Sequence, residues 1–111
     1  MDIQKTVLVV DDSTTNRSIL CDILHSDYTV LQAENGIQAL TKLKRQDKKV
    51  DAIILDIIMP EMDGYEFMNK IKQDKTLSQI PVIILTEKSD RDTEKKVLES
   101  GAWDFVPKPY D

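Results

Sequence analysis

The sequence is poor in the residues that form covalent links and soft-metal sites. Its 111 residues include one cysteine, Cys21, and one histidine, His25. A single cysteine excludes an internal disulfide, and we expect a reducing, cytoplasmic setting. The sequence has no cluster of cysteine and histidine with the spacing of a zinc site. We interpret Cys21 as a packing residue and His25 as a surface residue at the end of a helix.

Positive charge and long hydrophobic runs are also scarce. The chain has 15 basic and 20 acidic residues, which gives a net charge of −5. No basic stripe is present to replace the counterions of a nucleic acid, so we expect no direct nucleic-acid partner. No apolar run is long enough to cross a bilayer, and the first residues lack the pattern of a signal peptide. We therefore expect no membrane partner.

Short apolar runs alternate with segments of helical periodicity along the whole chain. Hydrophobic residues make up 41% and charged residues 32%, as in ordinary globular domains, and the length suits one domain over residues 1–111. Strands are predicted over residues 6–10, 29–33, 53–56, 82–86 and 104–106. Helices are predicted over residues 14–25, 37–46, 65–74 and 92–100, the last with Val97 and Leu98 as its core contacts. This alternation predicts an α/β fold with a parallel sheet and helices on both faces.

Polar residues come directly after four of the predicted strands. Asp11 and Asp12 follow the first strand, and Asp56, Thr86 and Lys108 come at the ends of the third, fourth and fifth. Each has an ordinary explanation alone, since acids favour helix starts and a lysine is common at a surface. In a parallel sheet these strand ends share one edge, which is where ligands bind in open α/β sheets. The four features together therefore predict a functional site.

The residue types at this edge suit phosphoryl chemistry. Three clustered carboxylates repel one another, and an all-oxygen cluster suits Mg²⁺, which accepts carboxylates, waters and phosphate oxygens. Asp56 lies in the middle and could act as a nucleophile that forms an acyl phosphate. Lys108 could hold a phosphate, and Thr86 offers a hydroxyl donor. The metal and Lys108 would offset charge on the phosphoryl group during transfer.

Four segments of the sequence resemble the receiver, or phosphoacceptor, domain of two-component response regulators. They are VLVVDDS (7–13), LDIIMPEMDG (55–64), VIILT (82–86) and GAWDFVPKP (101–109). The resemblance covers nearly the whole chain, and within this family the sequence is similar to chemotaxis receivers. It implies a flavodoxin-like, doubly wound, five-stranded parallel sheet of order 2-1-3-4-5. It also implies a Mg²⁺-dependent signalling switch that is phosphorylated by a histidine kinase or a phosphotransfer protein and is not a turnover enzyme.

The resemblance assigns a role to each residue of the acidic site. Asp56 accepts the phosphoryl group from a phosphohistidine. Asp12 and Asp56 bind Mg²⁺ directly, the backbone carbonyl of Ile58 is a third ligand, and Asp11 acts through a water molecule.

The resemblance also implies a switch that reads the phosphorylated state. Thr86 would form a hydrogen bond to the phosphoryl group, and Phe105 would rotate inward after it. Lys108 would pair with the phosphoryl group, and the Lys108–Pro109 peptide bond is expected to be cis.

Two features depart from the family pattern. The family has a fifth helix after the lysine–proline loop, whereas here only Tyr110 and Asp111 remain. We therefore expect either an excerpt of a longer protein, without its last helix and output domain, or a homodimer that covers the exposed sheet face beside the first helix. Trp103 replaces a small or acidic residue, and is interpreted either as an exposed partner anchor or as packed on the fourth helix.

Three other functions are alternatives to a phosphorylated switch, because they use a similar fold or similar acidic residues. A degenerate receiver could act as an interaction module without phosphorylation, which the acidic Glu87 after Thr86 and the missing fifth helix would favour. A flavin-binding protein with the same sheet would need a loop after the first strand that accepts a phosphate, and two aspartates would repel it. An aspartate-based phosphohydrolase would need a second acid two residues after the nucleophile, where this sequence has Ile58.

Overall fold

The computed structural model describes residues 4–45, 49–56, 64–86 and 91–107. The strands are β1 (Lys5–Val10), β2 (Tyr28–Ala33), β3 (Ala52–Asp56), β4 (Val82–Thr86) and β5 (Asp104–Pro107). The helices are α1 (Thr14–Leu24), α2 (Gly36–Lys44), α3 (Gly64–Lys72) and α4 (Arg91–Glu99), with a short 3₁₀ turn at Leu77–Gln79. Strands and helices alternate as the sequence predicts, with boundaries within one or two residues of those expected.

The five strands form one parallel sheet of order β2-β1-β3-β4-β5, which confirms the predicted fold class and strand order. Within the central strands β1 and β3, residues 7–10 and 53–55 form continuous apolar runs, and their side chains are buried or half-buried on both faces of the sheet. The edge strand β2 is more exposed and carries Gln32 at a solvent-facing position. Burial thus falls from the centre of the sheet towards β2.

Two apolar clusters cover the two faces of the sheet. On one face Leu8 and Leu55 pack in a large cluster with residues of α2, α3 and α4, including the fully buried Phe67. On the other face Val7 and Val9 pack in a smaller cluster with Leu20, Leu24 and others, so that α1 covers β1 and β2. Successive side chains of a strand point to opposite faces, which is why odd and even residues of β1 belong to different clusters.

Local side-chain hydrogen bonds fix where the first two helices begin. The hydroxyl of Ser13 accepts a hydrogen bond from the Asn16 backbone N–H at 3.2 Å, and Asn35 accepts one from Gln38 at 2.8 Å. Such caps satisfy an N–H group that has no partner within the helix. Across the described ranges, the longest helix has 11 residues, and none combines the length and apolar character needed to span a bilayer.

The structure corrects one sequence prediction about α4 and decides between the two interpretations of Trp103 in the loop after it. Val97 is fully buried as expected, but Leu98 is 49% exposed and is not a core contact. Adjacent residues of a helix point about 100° apart, so one narrow apolar face cannot bury both. Trp103 is 71% exposed, so it is not packed flat on α4.

Apolar side chains are also exposed near the first helix and the last strand. Ile19 and Ile23 of α1 are 40% and 50% exposed, and Val106 of β5 is 37% exposed.

Candidate functional site

The predicted acidic residues lie at the carboxyl edge of the sheet, in the order set by strand pairing. Val10 of β1 is paired with Leu55 of β3, so Asp11 follows β1 at the level where Asp56 ends β3. Asp11 is fully buried and Asp56 is only 6% exposed, whereas Asp12 faces solvent. The pairing register of the two central strands therefore places two buried carboxylates and one exposed carboxylate together.

These three carboxylates form a compact oxygen cluster. Asp11, Asp12 and Asp56 each offer one oxygen, and the three oxygens lie within 4.8 Å of one another. Two ionised carboxylates at such a separation repel by about 3 kcal/mol at an effective dielectric constant of about 20. A divalent cation that binds between them would remove this repulsion.

The donor set fits Mg²⁺ better than a softer metal. The ligand atoms are carboxylate oxygens, and neither sulfur nor imidazole belongs to the cluster. Mg²⁺ takes hard oxygen ligands, often only one or two carboxylates, and fills its remaining positions with water or a phosphate oxygen. The three carboxylates could hold such an ion, and Asp12 is the member of the cluster that is exposed to solvent.

Asp11 is held in place by hydrogen bonds to its backbone and side chain. Its N–H donates to the Ala33 carbonyl at 3.1 Å, and its Oδ1 accepts from the Ser13 N–H at 2.8 Å. Its own carbonyl accepts a 2.6 Å hydrogen bond from Nη1 of Arg17. Asp11 is thus tied to β2, to the loop before α1 and to α1 itself.

Arg17 is a site residue that the sequence analysis missed. It is a charged residue with only 6% exposure, on the inner face of α1 together with Leu20. The signal was present in the spacing, because residue 17 lies three positions before Leu20 and seven before Leu24, on the apolar face of the helix. An arginine on that face must have buried partners, and its main partner here is the backbone of Asp11.

The remaining predicted site residues are only partly described. Thr86 ends β4 and is paired with Pro107 of β5, so its backbone reaches the same edge as Asp56. Phe105 is paired with Ile84 within the sheet. The side chains of Thr86 and Phe105 lie outside the described part of the structure. Ile58, Lys108 and Pro109, with the predicted cis peptide bond, lie in segments outside the described residues.

His25 has no part in this site. It follows α1, is exposed, and its Nδ1 lies 3.0 Å from the Asp22 carbonyl. The structure therefore confirms that His25 is a surface residue at the end of a helix.

A separate cleft of about 580 Å³ lies at the opposite edge of the sheet. It is lined by residues that precede β3 and β4, including Asp51 and Pro81. The Asp51 carboxylate has a structural role, because it accepts a 2.8 Å hydrogen bond from the N–H of Thr6. The carboxylate cluster is therefore distinct from this cleft.

Comparison with known proteins identifies the family. The chain matches the family model of the response regulator receiver domain over residues 7–111. It is 38% identical over 105 residues to the sensor histidine kinase CheAY of Helicobacter pylori, covering 94% of this chain but 13% of that protein. It is 39% identical to the two-component response regulator ORR5 of Oryza sativa subsp. japonica, covering 93% of this chain and 77% of that protein.

A solved structure gives the same result for the fold. The receiver domain of the sensor histidine kinase PA1611 from Pseudomonas aeruginosa superposes with a TM-score of 0.86 at 29% identity, covering 98% of this chain and 88% of that chain. That structure has a magnesium ion coordinated in its active-site cleft. Together with the parallel sheet and the aspartates at its carboxyl edge, these matches show that the chain belongs to the response regulator receiver domain family.

Proposed function

We propose that this chain is a phosphorylation-dependent signalling switch that accepts a phosphoryl group on Asp56. The observation that carries the proposal is the cluster of Asp11, Asp12 and Asp56, with oxygens within 4.8 Å of one another at the end of the two central strands. Asp56 is the member on β3, the strand between β1 and β4. It is 6% exposed, and it lies in the same cluster as the exposed Asp12.

The donor would be the phosphohistidine of a histidine kinase or a phosphotransfer protein. A carboxylate oxygen of Asp56 attacks phosphorus, the new P–O bond forms as the P–N bond breaks, and the imidazole leaves and takes up a proton. Asp12, Asp56 and the Ile58 carbonyl would hold a Mg²⁺ ion, which would supply positive charge against the phosphoryl oxygens. Asp11 contributes through a water molecule.

The remaining roles would connect the phosphoryl group to a change of shape. Lys108 would pair with the phosphoryl oxygens, the Thr86 hydroxyl would donate to one of them, and Phe105 would follow Thr86 inward. The chain would promote its own phosphorylation and dephosphorylation. It would not be an enzyme that turns over a separate substrate. The lone half-buried Cys21 fits a reducing cytoplasm, where such kinases present their phosphohistidine.

Intact-mass measurement tests the proposed acceptor directly. After incubation with acetyl phosphate and Mg²⁺, the wild-type chain is expected to gain the mass of one phosphoryl group, and Asp56→Asn is expected to gain none. Asn lacks the anionic oxygen that would attack phosphorus. Asp22→Asn is the matched control, because Asp22 is an exposed aspartate on α1 outside the cluster, and it should be phosphorylated as the wild type is. A phosphoryl adduct that persists in Asp56→Asn would place the chemistry at another residue.

A further inference from the structure

The environment of Arg17 suggests a role beyond packing. Its side chain is 8% exposed, and its nearest partners are neutral: the Asp11 carbonyl at 2.6 Å, Gln32 Oε1 at 3.2 Å and Thr14 Oγ1 at 3.3 Å. Its ion-pair partner Glu34 is farther away, at 3.8 Å, and is 63% exposed. A buried guanidinium carries a desolvation cost that an exposed partner offsets only weakly. Its shortest contact is instead directed at the backbone of a residue in the acidic cluster.

We propose that Arg17 is a positioning residue of the metal site, which acts on Mg²⁺ affinity by fixing the backbone of Asp11. The inference rests on the proposed function only in assuming that the acidic cluster binds Mg²⁺. The planar guanidinium can donate to several acceptors at fixed angles, so it connects the Asp11 carbonyl on one side to Gln32 of β2 on the other. The Asp11 side chain is then directed by a backbone that is held against rotation.

Two effects of Arg17 on a cation oppose each other. Its positive charge repels Mg²⁺, whereas its hydrogen bond holds Asp11, which would act on the ion through a water molecule, in a fixed position within the cluster. Glu34 pairs with part of the charge at 3.8 Å, while the hydrogen bond to the Asp11 carbonyl is short, at 2.6 Å. The positioning effect therefore outweighs the repulsion, and the loss of Arg17 weakens Mg²⁺ binding.

The test is calorimetric titration of Mg²⁺ into the unphosphorylated chain. Arg17→Met keeps an unbranched side chain but removes the donor, and the Kd for Mg²⁺ is expected to rise about tenfold, as when partners of metal ligands are removed. Arg17→Lys keeps one donor group and the charge, and its Kd is expected to lie between those of the wild type and Arg17→Met. Glu34→Gln keeps the hydrogen bond from Arg17 to Asp11 and removes only the 3.8 Å ion pair with an exposed carboxylate, so its Kd is expected to lie much closer to that of the wild type than to that of Arg17→Met.

Arg45→Met is the matched control for net charge. It applies the same substitution at an exposed arginine that follows α2, so it should leave the Kd for Mg²⁺ unchanged. Thermal unfolding without metal checks that each variant is folded. If Arg17→Met does not fold, Arg17→Lys carries the test, with the intermediate Kd as the expected result.

A second measurement separates positioning from general damage to the fold. The rate of phosphorylation by acetyl phosphate in Arg17→Met should be low at limiting Mg²⁺ and should reach the wild-type rate at saturating Mg²⁺. A structural defect would lower the rate at every Mg²⁺ concentration, and would overturn the inference. Unchanged or tighter Mg²⁺ binding by Arg17→Met would also overturn it. Absence of Mg²⁺ binding by the wild-type chain would instead refute the metal site of the proposed function.

Discussion

The lone thiol of the chain titrates in an environment that opposes its ionisation. Burial raises the pKa of Cys21 above its ordinary value, the neighbouring charge of Asp22 raises the pKa further, and Arg17 lowers it in part. Because the folded-state pKa is raised, the stability contributed by the protonated thiol is complete below the unfolded-state pKa. That contribution is lost as the pH rises through the folded-state pKa.

Alkylation with iodoacetamide across a pH series tests this environment. The midpoint of the rate profile should lie at higher pH for the native chain than for the chain unfolded in urea, since only the thiolate reacts. Restricted access would lower the rate at every pH but leave the midpoint unchanged. Asp22→Asn should lower the native midpoint. A native midpoint at or below that of the unfolded chain would contradict the prediction.

At the residue scale, the sequence predicted the polar groups at strand ends but not the buried charge on a helix face. Asp11, Asp12 and Asp56 come together because each lies at the end of an apolar run, and that pattern is visible without a structure. Arg17 was missed because a basic residue in a helix usually extends its charge into solvent. Only the structure shows that the Asp11 carbonyl accepts a hydrogen bond from the buried guanidinium of Arg17.

At the scale of elements, Gly101 determines how α4 ends. Its φ is +98°, a backbone conformation that residues with a side chain rarely adopt, and its N–H donates to the Leu98 carbonyl at 3.1 Å. A Cβ atom there would also overlap the Lys72 side chain, whose Nζ lies 3.4 Å from the Glu99 carbonyl. A glycine directly after the last helical residues is a common signal of such an end, and here it follows the predicted helix 92–100.

Gly101→Ala is expected to destabilise the fold by about 1–2 kcal/mol, because alanine is strained at this φ. The overlap with Lys72 adds little, since the flexible end of that side chain can move away. Chemical denaturation should therefore give nearly the same loss for Gly101→Ala in the wild type and in a Lys72→Ala background. Recovery of the lost stability in the double variant would show that the overlap, and not the backbone, is the cause.

The error at Leu98 shows the limit of periodicity in a short, charged helix. The sequence of α4 offers two adjacent apolar residues among charged ones, so periodicity alone does not tell which of them faces the sheet. The structure shows that Val97 joins the core and that Leu98 does not. Which of the two side chains is buried depends on how the helix is rotated about its own axis. That rotation is set by packing against residues distant in sequence.

At the scale of the whole molecule, the residues predicted the class of fold, and the resemblance supplied the strand order. Alternating strands and helices require parallel strands, but the side on which each new strand adds is decided by long-range pairing. Val9 lies between Gln32 of β2 and Ile54 of β3, which places β1 inside the sheet although it is first in sequence. The radius of gyration, 13.3 Å, is close to the value of about 13 Å for a compact domain of this size.

Because the acidic cluster joins residues from two strands, it exists only in the folded chain, and a cation that binds it should stabilise the whole domain. A ligand that binds only the folded state at 100 times its Kd contributes about 2.7 kcal/mol, which corresponds to a rise in Tm of about 10 °C for a domain of this length. Differential scanning calorimetry with Mg²⁺ should show this rise. NaCl at matched ionic strength should not, although it also screens the net charge of −5.

Asp56→Asn separates this effect from general screening. The substitution removes one of the three repelling carboxylates, so the metal-free variant should unfold at a higher temperature than the metal-free wild type. It also removes a ligand, so the rise in Tm with Mg²⁺ should be much smaller than in the wild type. An equal rise in both proteins would show that Mg²⁺ stabilises the chain from another place, and that the carboxylates at the end of β1 and β3 are not its site.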